Sequence, residues 1–364
     1  MTRKIKTGII GCGKIGDVHA HAYAASEKSD FVAVYDRNIA KAERLAEKYH
    51  VKAFDSIPGM FEETGVEAVS ICTSHPAHKD PAVEAAEAGI HIAVEKPLAV
   101  TLRDCDAIIR AVRENGVVGT TISQRRFCQP ALRIRQAIDD GKIGRPVLGL
   151  ANLLGWRDMA YYRSDPWRGT WKGEGGGVLV NQSPHQLDLL LWYMGEIDEL
   201  AGWWDTLNHP ELEVDDTAVA VIHFKSGAIG NIVVSNSQNP ALYGNVHIHG
   251  SNGASIGVQT DGGAMQSLTG VPKSSEPPIN DLWTIPGEEK MLPVWQKEDR
   301  DRFGQAAPVF DFHQYQIDDF LNAILNGISP RVTLEDGRRT VELFTAVYRS
   351  KREHAFIKFP LSSD

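Results

Sequence analysis

A short glycine-rich turn lies between two apolar segments near the start of the chain. Its residues are Gly11-Cys12-Gly13-Lys14-Ile15-Gly16; residues 5–10 are predicted as a buried strand and residues 15–26 as a helix. In such a turn the first glycine permits a tight bend, the second lets backbone approach a pyrophosphate, and the third lets the helix pack on the strand. The N–H groups at the helix start attract phosphates. The turn therefore predicts a dinucleotide site with contacts from Gly11, Gly13, Lys14, Ile15 and Gly16.

An acidic residue follows the second predicted strand. Residues 31–35 form this strand and Asp36 comes next, twenty positions after Gly16. A carboxylate at this position accepts hydrogen bonds from the ribose hydroxyls and repels a 2′-phosphate, so we expect NAD as the cofactor. Arg37 keeps NADP possible, because a guanidinium pairs with a phosphate or lies over the adenine. The alternative is a tight βα turn without a cofactor, and the strand, helix and acidic residue together favour the cofactor.

Strands and helices alternate along the first third of the chain. Beyond Asp36 the sequence predicts helices at 40–49, 79–88 and 103–114, and strands at 66–71, 91–94 and 117–121. This alternation is typical of an α/β fold with a doubly wound parallel sheet, in which ligands bind beyond the carboxyl ends of the strands. We expect cofactor contacts from residues near those ends: Asp36, Arg37, Thr73, Ser74, His75, His78, Glu95, Lys96 and Gln124.

The pattern changes at about residue 124, and we predict two domains, residues 1–123 and 124–364. The second domain has predicted helices at 131–140, 316–326 and 334–350 and predicted strands at 218–224, 229–234, 246–250 and 357–359. Alternation in the three central segments predicts antiparallel strands. Residues 260–308 show no clear period, and we expect a loop that covers a cleft or makes a subunit contact.

A second group of polar residues follows the triple glycine at 175–177. Asn181, His185 and Asp188 are spaced i, i+4 and i+7, which is one face if the whole run is helical. The rival interpretation is a capping box of Ser183 and Gln186, with a helix that begins at Pro184. Both interpretations keep Asn181 and His185 close together. A histidine near a helix start is often only a packed side chain, so the spacing alone does not make His185 catalytic.

Aromatic and basic residues alternate between 156 and 171. Flat rings pack on the C–H faces of sugars, while arginines bind ring hydroxyls or the cofactor's amide and phosphates. Some of these rings serve only to anchor the loop. We assign Trp167 and Arg168 to the cofactor, and Tyr161, Trp167 and His313 to the substrate.

Composition limits the class of protein. The chain has 364 residues, 42% hydrophobic and 23% charged, with a net charge of −9. The negative charge argues against nucleic-acid and membrane-surface partners, and no apolar run is long enough to span a bilayer. Four cysteines indicate reduced thiols, so we expect a cytoplasmic protein. The histidines lack cysteine or carboxylate partners at ligand spacing, so we expect no metal site.

These motifs resemble the Gfo/Idh/MocA family of NAD(P)-dependent sugar and polyol oxidoreductases. The matching pieces are the glycine turn, residues 73–78, Glu95-Lys96-Pro97, the segment 175–188 and the closing helices. The resemblance implies a Rossmann domain, then a domain with a large open, mainly antiparallel sheet whose outer face makes a homodimer or homotetramer. It also implies that Lys96 and His185 are catalytic. The family often has Asp where this chain has Asn181, and an amide can only orient substrate or His185.

The expected reaction moves a hydride between NAD and a secondary alcohol of a cyclic sugar, polyol or anhydrosugar. Lys96 fits the donor to the reacting oxygen, and His185 fits the general base because an imidazole takes and returns a proton near neutral pH. Asn181 completes the predicted catalytic group and is also assigned to the substrate, with Lys96 and His185. Two rivals stay open: an NAD-dependent glycosidase or epimerase with transient oxidation, and a non-catalytic NAD or sugar sensor.

Overall fold

The computed structural model describes residues 3–242, 244–260, 277–305 and 308–363, which divide into two compact units. Unit 1 comprises Met1–Gln124, Val309–Arg338 and Ser363–Asp364, and unit 2 comprises Arg125–Pro308 and Arg339–Ser362. The sequence predicts residues 309–338 as part of the second domain. The structure groups this segment with the first 124 residues, because its apolar side chains complete the core of unit 1.

A six-stranded parallel sheet with the order β3-β2-β1-β4-β5-β6 forms the centre of unit 1. The strands are β1 Ile5–Ile10, β2 Ser29–Tyr35, β3 Lys52–Phe54, β4 Ala68–Ile71, β5 His91–Val94 and β6 Gly119–Thr121. The helices are α1 Lys14–Ala25, α2 Ile39–Tyr49, α3 Ile57–Thr64, α4 Lys79–Glu87 and α5 Leu102–Glu114. The order confirms the predicted doubly wound α/β fold. β3 and α3 were not predicted, because three and eight residues are too few to show a clear period.

The core of unit 1 joins residues that are far apart in sequence. Ile9 of β1, Val34 of β2 and Tyr23 of α1 are fully buried in one cluster with Ile317 and Phe320. The last two belong to a late helix, Pro308–Asn326. Burying these side chains stabilises the unit by about 1.5–3 kcal/mol each, so the late helix is an integral part of this fold.

Unit 2 contains an eight-stranded sheet with the order β13-β12-β11-β7-β10-β9-β8-β14 in the described part of the chain. The strands are β7 Pro146–Leu154, β8 Ile197–Asp205, β9 Thr217–Phe224, β10 Ile229–Ser235, β11 Asn245–Gly250, β12 Ser255–Gln259, β13 Ile279–Trp283 and β14 Ile357–Lys358. The helices of unit 2 are α6 Gln129–Asp139, α7 Met159–Arg163, α8 Trp171–Glu174, α9 Val178–Asn181, α10 Pro184–Met194 and α11 Met291–Gln305. The late helix of unit 1, Pro308–Asn326, is α12. The last helix, α13, spans Leu334–Glu353; it begins in unit 1 and continues into unit 2 from Arg339.

The sheet of unit 2 is mainly antiparallel, as predicted, with one exception. β10 pairs with β7 in parallel, from Ile229 opposite Leu148 to Ser235 opposite Leu154. A parallel pair needs a long connection, and the chain between these strands runs through four helices and two further strands. The antiparallel prediction for residues 229–234 therefore holds only on their β9 side.

The prediction of an irregular loop at 260–308 was wrong for two segments, 279–283 and 291–305. Residues 279–283 form an edge strand and residues 291–305 form a helix; residues 261–276 lie outside the described ones. The strand escapes notice because its centre is Asn280-Asp281, and the helix because charged residues fill most of its length after Gln296. Hydrophobic periodicity, the primary signal for either element, is weak in both.

One face of the unit 2 sheet carries exposed apolar side chains. Val219 and Val221 of β9 are 45% and 58% exposed, Trp203 of β8 is 51% exposed, and Ile229 of β10 is 58% exposed. Trp203 lies opposite Val219, and Ile229 lies opposite His223, two residues beyond Val221, so all four share this face. We call them the outer-face strip. Among the described helices, none has the length and apolar character needed to cross a membrane.

Candidate functional site

The glycine turn has the geometry that a pyrophosphate needs. Gly11 has a φ of 105°, and a Cβ there would lie 2.6 Å from the carbonyl carbon of Cys72. A Cβ on Gly16 would lie 2.1 Å from the carbonyl oxygen of Gly11. Gly13 differs, because nothing lies within 4 Å of its Cβ position, and it precedes α1 without any side-chain cap. The turn therefore presents open backbone at a helix start, which fits a phosphate group.

Asp36 ties the glycine turn to the end of β2. Its Oδ2 accepts the Cys12 N–H at 2.9 Å and its Oδ1 accepts the Asn38 N–H at 2.9 Å. Arg37 beside it is exposed. Burial, and then the charge of Asp36, raise the pKa of the Cys12 thiol to about 12, so Cys12 stays protonated at neutral pH.

A buried histidine, His78, contacts the turn after β4 and the loop after β5. The ring nitrogens of His78 lie 2.9 Å from the Pro97 carbonyl oxygen and 3.2 Å from the Thr73 carbonyl oxygen. The Thr73 hydroxyl donates to the Ala77 carbonyl at 2.9 Å, and Ser74 is exposed while His75 is buried. His78 is fully buried, which lowers its pKa, and its contacts make it a brace between two loops at the sheet edge.

Lys96 follows β5 directly, and Glu95 fixes its backbone. Glu95 Oε2 accepts the Lys96 N–H at 3.0 Å, and the Lys96–Pro97 peptide is cis. Glu95 is 4% exposed; its Oε1 lies 2.9 Å from His19 Nε2 and 3.5 Å from His313 Nε2. Burial would raise the pKa of Glu95, but hydrogen bonds from the two imidazoles outweigh it and hold the pKa well below its usual range.

The sequence does not reveal this His19–Glu95–His313 cluster, because 76 positions separate its first two members and 218 separate the last two. His313, predicted as a substrate contact, lies on α12 and belongs to unit 1. One side-chain ligand atom from each of the three residues lies within 4.8 Å of the others. Hydrogen bonds between the rings and the carboxylate account for that arrangement, and the expectation of no metal site stays a prediction.

Gln124, the last residue of the first segment of unit 1, has a buried side-chain oxygen that can accept a hydrogen bond. Its side chain is 8% exposed, and its Oε1 has no hydrogen-bond donor among the described residues. A buried carbonyl oxygen without a donor is costly, so the position suits a ligand that supplies an N–H or O–H group.

In unit 2, a buried aspartate holds the triple glycine. Asp215 accepts the Gly177 N–H at 2.8 Å, the Leu179 N–H at 3.0 Å and the Tyr348 hydroxyl at 2.6 Å. A Cβ on Gly177 would lie 1.8 Å from the Asp215 carbonyl oxygen, so only glycine fits there. Burial raises the pKa of Asp215 to about 6. The sequence does not reveal this role of Asp215, because no motif around Asp215 indicates a contact with Gly177, 38 residues earlier in the chain.

The segment after the glycines is two short helices rather than one. α9 ends at Asn181 and α10 begins at Pro184, as the rival interpretation predicts. The capping box itself was wrong: the Ser183 hydroxyl donates to the Leu179 carbonyl at 3.2 Å and the Gln186 amide donates to Thr260 Oγ1 at 2.7 Å. Asn181 and His185 are 6% and 4% exposed.

Asp188, three residues after His185, forms a buried ion pair. Its carboxylate accepts from Arg126 Nε at 2.8 Å and from Arg126 Nη2 at 2.7 Å, in the bidentate geometry typical of Arg–carboxylate pairs. The two side chains are 3% and 6% exposed. The pair anchors the His185-bearing helix to the segment that precedes α6.

Tyr161 lies at the centre of a polar cluster in unit 2. Its phenol oxygen accepts from Arg168, from the Asn181 amide at 3.3 Å and from the Gln182 amide at 2.9 Å. The Arg168 guanidinium lies 4.3 Å from the ring centroids of both Tyr161 and Trp167. The structure thus brings together four predicted residues of unit 2: Tyr161, Trp167, Arg168 and Asn181.

Glu174 belongs to this cluster and was not predicted. It is 1% exposed, its Oε2 accepts the Gly169 N–H, and its Oε1 accepts from the Asn181 amide. Burial raises the pKa of its carboxyl to about 7. Its position immediately before the triple glycine is the one sequence feature that could have drawn attention to it.

Two family models match the chain. The model of an oxidoreductase family with an NAD-binding Rossmann fold, GFO_IDH_MocA, matches residues 5–122, and the GFO/IDH/MocA C-terminal domain matches residues 131–256. The chain belongs to the Gfo/Idh/MocA family. This confirms the predicted family, its NAD cofactor and its class as an oxidoreductase. The individual roles of the site residues stay predictions.

The chain is similar to several named dehydrogenases, two of them of known structure. Myo-inositol 2-dehydrogenase of Thermotoga maritima is 31% identical over 258 residues, which cover 68% of this chain and 74% of that relative. The WlbA dehydrogenase of Bordetella pertussis, solved with NADH and UDP-GlcNAcA, is 27% identical with a TM-score of 0.86 over 100% of both chains. A levoglucosan dehydrogenase solved with NADH and L-sorbose is 21% identical with a TM-score of 0.80 over 99% of this chain and 100% of that one, a likeness of fold.

Proposed function

We propose that this protein is an NAD-dependent dehydrogenase that acts on a secondary alcohol of a cyclic polyol, sugar or anhydrosugar. The observation that carries the proposal is Lys96, whose backbone is fixed by Glu95 directly after β5 of a parallel sheet. Ligands of such sheets bind beyond the carboxyl ends of the strands, and the glycine turn follows β1 at that same edge.

NAD is held by residues of unit 1 in this proposal. The open backbone at Gly13 and the start of α1 receive the pyrophosphate, and Asp36 receives the ribose hydroxyls. Gln124 Oε1, a buried oxygen without a donor among the described residues, accepts from the cofactor's carboxamide. When bound, NAD accepts or returns the hydride, so the protein itself must supply only proton transfer and geometry.

His185 takes the hydroxyl proton of the substrate and Lys96 donates to the reacting oxygen. An imidazole has a pKa near the working pH, which suits a group that must both take and return a proton. A lysine ammonium supplies a positive charge where negative charge develops on oxygen. Asn181 cannot take a proton, so it serves by orienting the substrate or His185.

Aromatic and cationic groups that meet in one cluster of unit 2 support a cyclic carbohydrate as the substrate. Trp167 and Tyr161 offer rings, and Arg168 lies 4.3 Å from both of them. The relative named above is an inositol 2-dehydrogenase, and the neighbour with the TM-score of 0.86 was solved with UDP-GlcNAcA. Neutral polyols and sugar acids are therefore the two substrate groups to compare.

The test is a panel of inositols, hexoses, pentoses, anhydrosugars and sugar acids, offered with NAD and with NADP. We expect stoichiometric accumulation of reduced nicotinamide with one class of compound. Product formation without accumulated NADH would instead establish a transient oxidation, as in a glycosidase or epimerase. Calorimetric binding of sugars without any turnover would establish a sensor.

We also propose that the outer-face strip forms the contact of a homodimer or homotetramer. Four apolar side chains between 45% and 58% exposed on one sheet face are an unfavourable surface for a monomer. Sedimentation of Val221→Lys should give a smaller species than wild type, and Lys225→Gln, in the exposed β9–β10 turn, is the control. A monomeric wild-type protein would refute this contact.

A further inference from the structure

A series of buried hydrogen bonds in unit 1 leads from helix α1 to the backbone of Lys96. His19 of α1 lies 2.9 Å from Ser70 Oγ through its Nδ1 and 2.9 Å from Glu95 Oε1 through its Nε2. The Ser70 hydroxyl also lies 2.8 Å from the Tyr23 hydroxyl, and Glu95 Oε2 accepts the Lys96 N–H at 3.0 Å. We call His19, Tyr23, Ser70 and Glu95 the α1 network. All four side chains are buried, so water does not compete for these bonds.

The carboxylate of Glu95 fixes which nitrogen of His19 carries the proton. Burial would raise the pKa of Glu95, but hydrogen bonds from two imidazoles hold it well below its usual range, so the carboxylate is ionised and only accepts. Burial lowers the pKa of His19, so its ring holds one proton at neutral pH. That proton must lie on Nε2, which faces Glu95, and Nδ1 must accept from the Ser70 hydroxyl.

The remaining two hydroxyls take their direction from His19. The single proton of the Ser70 hydroxyl goes to His19 Nδ1, so the Tyr23 hydroxyl must donate to Ser70 Oγ. Each donor of the α1 network therefore has its acceptor, and the negative charge of Glu95 is the last acceptor of the series. A fully matched buried network holds its members in one arrangement.

The α1 network joins two elements that the proposed function uses. Helix α1 begins at the glycine turn, where the pyrophosphate binds in that proposal, and His19 lies on its second turn. Strand β4, which carries Ser70, lies between β1 and β5 in the sheet. One oxygen of Glu95 is held from α1 and the other holds the Lys96 N–H, so the position of the Lys96 backbone is set relative to α1.

We propose that His19 is a positioning residue for Lys96 and acts through Glu95, because its imidazole fixes the carboxylate that fixes the Lys96 peptide. The proposal rests on the function proposed above, in which the Lys96 ammonium donates to the reacting oxygen. No covalent bond forms or breaks in this role. A catalytic group that moves by about 1 Å can lose up to about a hundredfold in rate. The expected signature is a lower kcat with substrate KM and NAD Kd preserved.

The experiment compares two amides at position 19. The amide nitrogen of His19→Gln can reach the position of Nε2 and donate to Glu95, whereas the shorter His19→Asn places its nitrogen near Nδ1. We expect kcat to fall about tenfold in His19→Asn and to stay within about threefold of wild type in His19→Gln. Substrate KM and NAD Kd should stay within about twofold in both variants. Equal losses of kcat in the two variants would overturn the proposal, because the donated hydrogen bond would then not matter.

Two further variants separate positioning from stability. Ser70→Ala keeps every ring in place and removes the donor to His19 Nδ1, and we expect kcat to fall about threefold. Thr7→Val is the control, since it removes a buried hydrogen bond from Thr7 Oγ1 to Ser29 Oγ at 2.7 Å in the same unit. Both variants should lower the urea midpoint, and Thr7→Val should keep its kcat. A wild-type kcat in Ser70→Ala and His19→Asn together, or a loss in Thr7→Val as large as in His19→Asn, would overturn the proposal.

A measurement without substrate distinguishes failure of this proposal from failure of the proposed function. Amide hydrogen exchange of Lys96, followed by NMR with isotopically labelled lysine, reports how firmly its N–H is held, and Lys96→Arg identifies the signal. We expect exchange to be about tenfold faster in His19→Asn than in wild type and unchanged in His19→Gln. Equal rates in all three proteins would overturn the positioning role. The expected rates in a protein that oxidises no sugar would uphold that role and refute the proposed function alone.

Discussion

Replacing Asp188 with leucine should destabilise unit 2 far more than its size suggests. The substitution removes the carboxylate from a guanidinium that is 6% exposed, at distances of 2.7–2.8 Å. Removal of one partner of a buried pair costs about 3–5 kcal/mol, because the other charge stays desolvated. Leucine itself is a good helix former, so the loss reflects the ion pair and not the α10 backbone.

The assay follows tryptophan emission through a urea titration. All eight tryptophans, from Trp156 to Trp295, belong to unit 2, so the emission reports on that unit. The paired variant Arg126→Met with Asp188→Leu should recover most of the loss, since well-packed apolar residues replace both charges. Recovery in the paired variant would show that the loss in Asp188→Leu comes from the unpaired Arg126 charge and not from poor packing of leucine.

The control is an exposed pair of the same chemistry. Arg135 and Asp139 lie at 2.6 Å on one face of α6, with Asp139 59% exposed, and Asp139→Ala should cost no more than about 0.5 kcal/mol. A loss below about 1 kcal/mol in Asp188→Leu, or a double variant as unstable as the single one, would refute this account of the pair.

Three further predictions concern the cofactor turn, the glycines and pH. Asp36→Ala should raise the ratio of NADP to NAD activity by about tenfold, because the repulsive carboxylate is gone; an unchanged kcat/KM ratio would remove Asp36 from this role. Gly13→Ala should fold normally, since its Cβ position is open, and should bind NAD more weakly in a calorimetric titration. Gly177→Ala should lose about 3 kcal/mol or more of stability, since its Cβ would lie 1.8 Å from a carbonyl oxygen. Equal stabilities of the two variants would contradict the packing of Gly177. Asp215 has a folded pKa of about 6, above its ordinary 3.8, so between these values the folded state holds the proton and the free energy of unfolding falls as pH rises. As pH rises from about 4 to about 6, the urea midpoint of wild type should therefore fall relative to that of Asp215→Asn. A difference that does not change with pH would argue against a raised pKa of Asp215.

The parallel sheet of unit 1 could be predicted closely because its elements are defined by local pattern. β1 and β5 have the predicted bounds, and α1, α2, α4 and α5 differ by at most one residue at either end. β3 and α3 were missed because short elements carry little periodicity. The place of α12 in unit 1 could not be predicted, since it depends on packing between residues about 280 positions apart, such as Val34 and Ile317.

The candidate site could be predicted only where its residues lie in recognisable motifs. The sequence singles out the glycine turn, Lys96 and His185 as candidates, and their roles stay predictions, whereas it draws no attention to Glu174, Asp215 or His19. These three act through hydrogen bonds across 5 to 76 residues of sequence, and a single sequence holds no record of such contacts. The capping box at Ser183 failed for a related reason, because tertiary partners at Leu179 and Thr260 took its side chains.

Turnover measured together with cofactor affinity tests the roles of Lys96 and His185 most directly. In Lys96→Met and in His185→Ala we expect kcat to fall by about 10² or more, because proton transfer contributes at least that factor, with the NAD Kd within about threefold of wild type. Lys79→Met is the matched control, since its ammonium pairs with the exposed Asp80 at 2.8 Å, and it should keep its kcat. Near-normal kcat in both site variants would contradict the proposed chemistry.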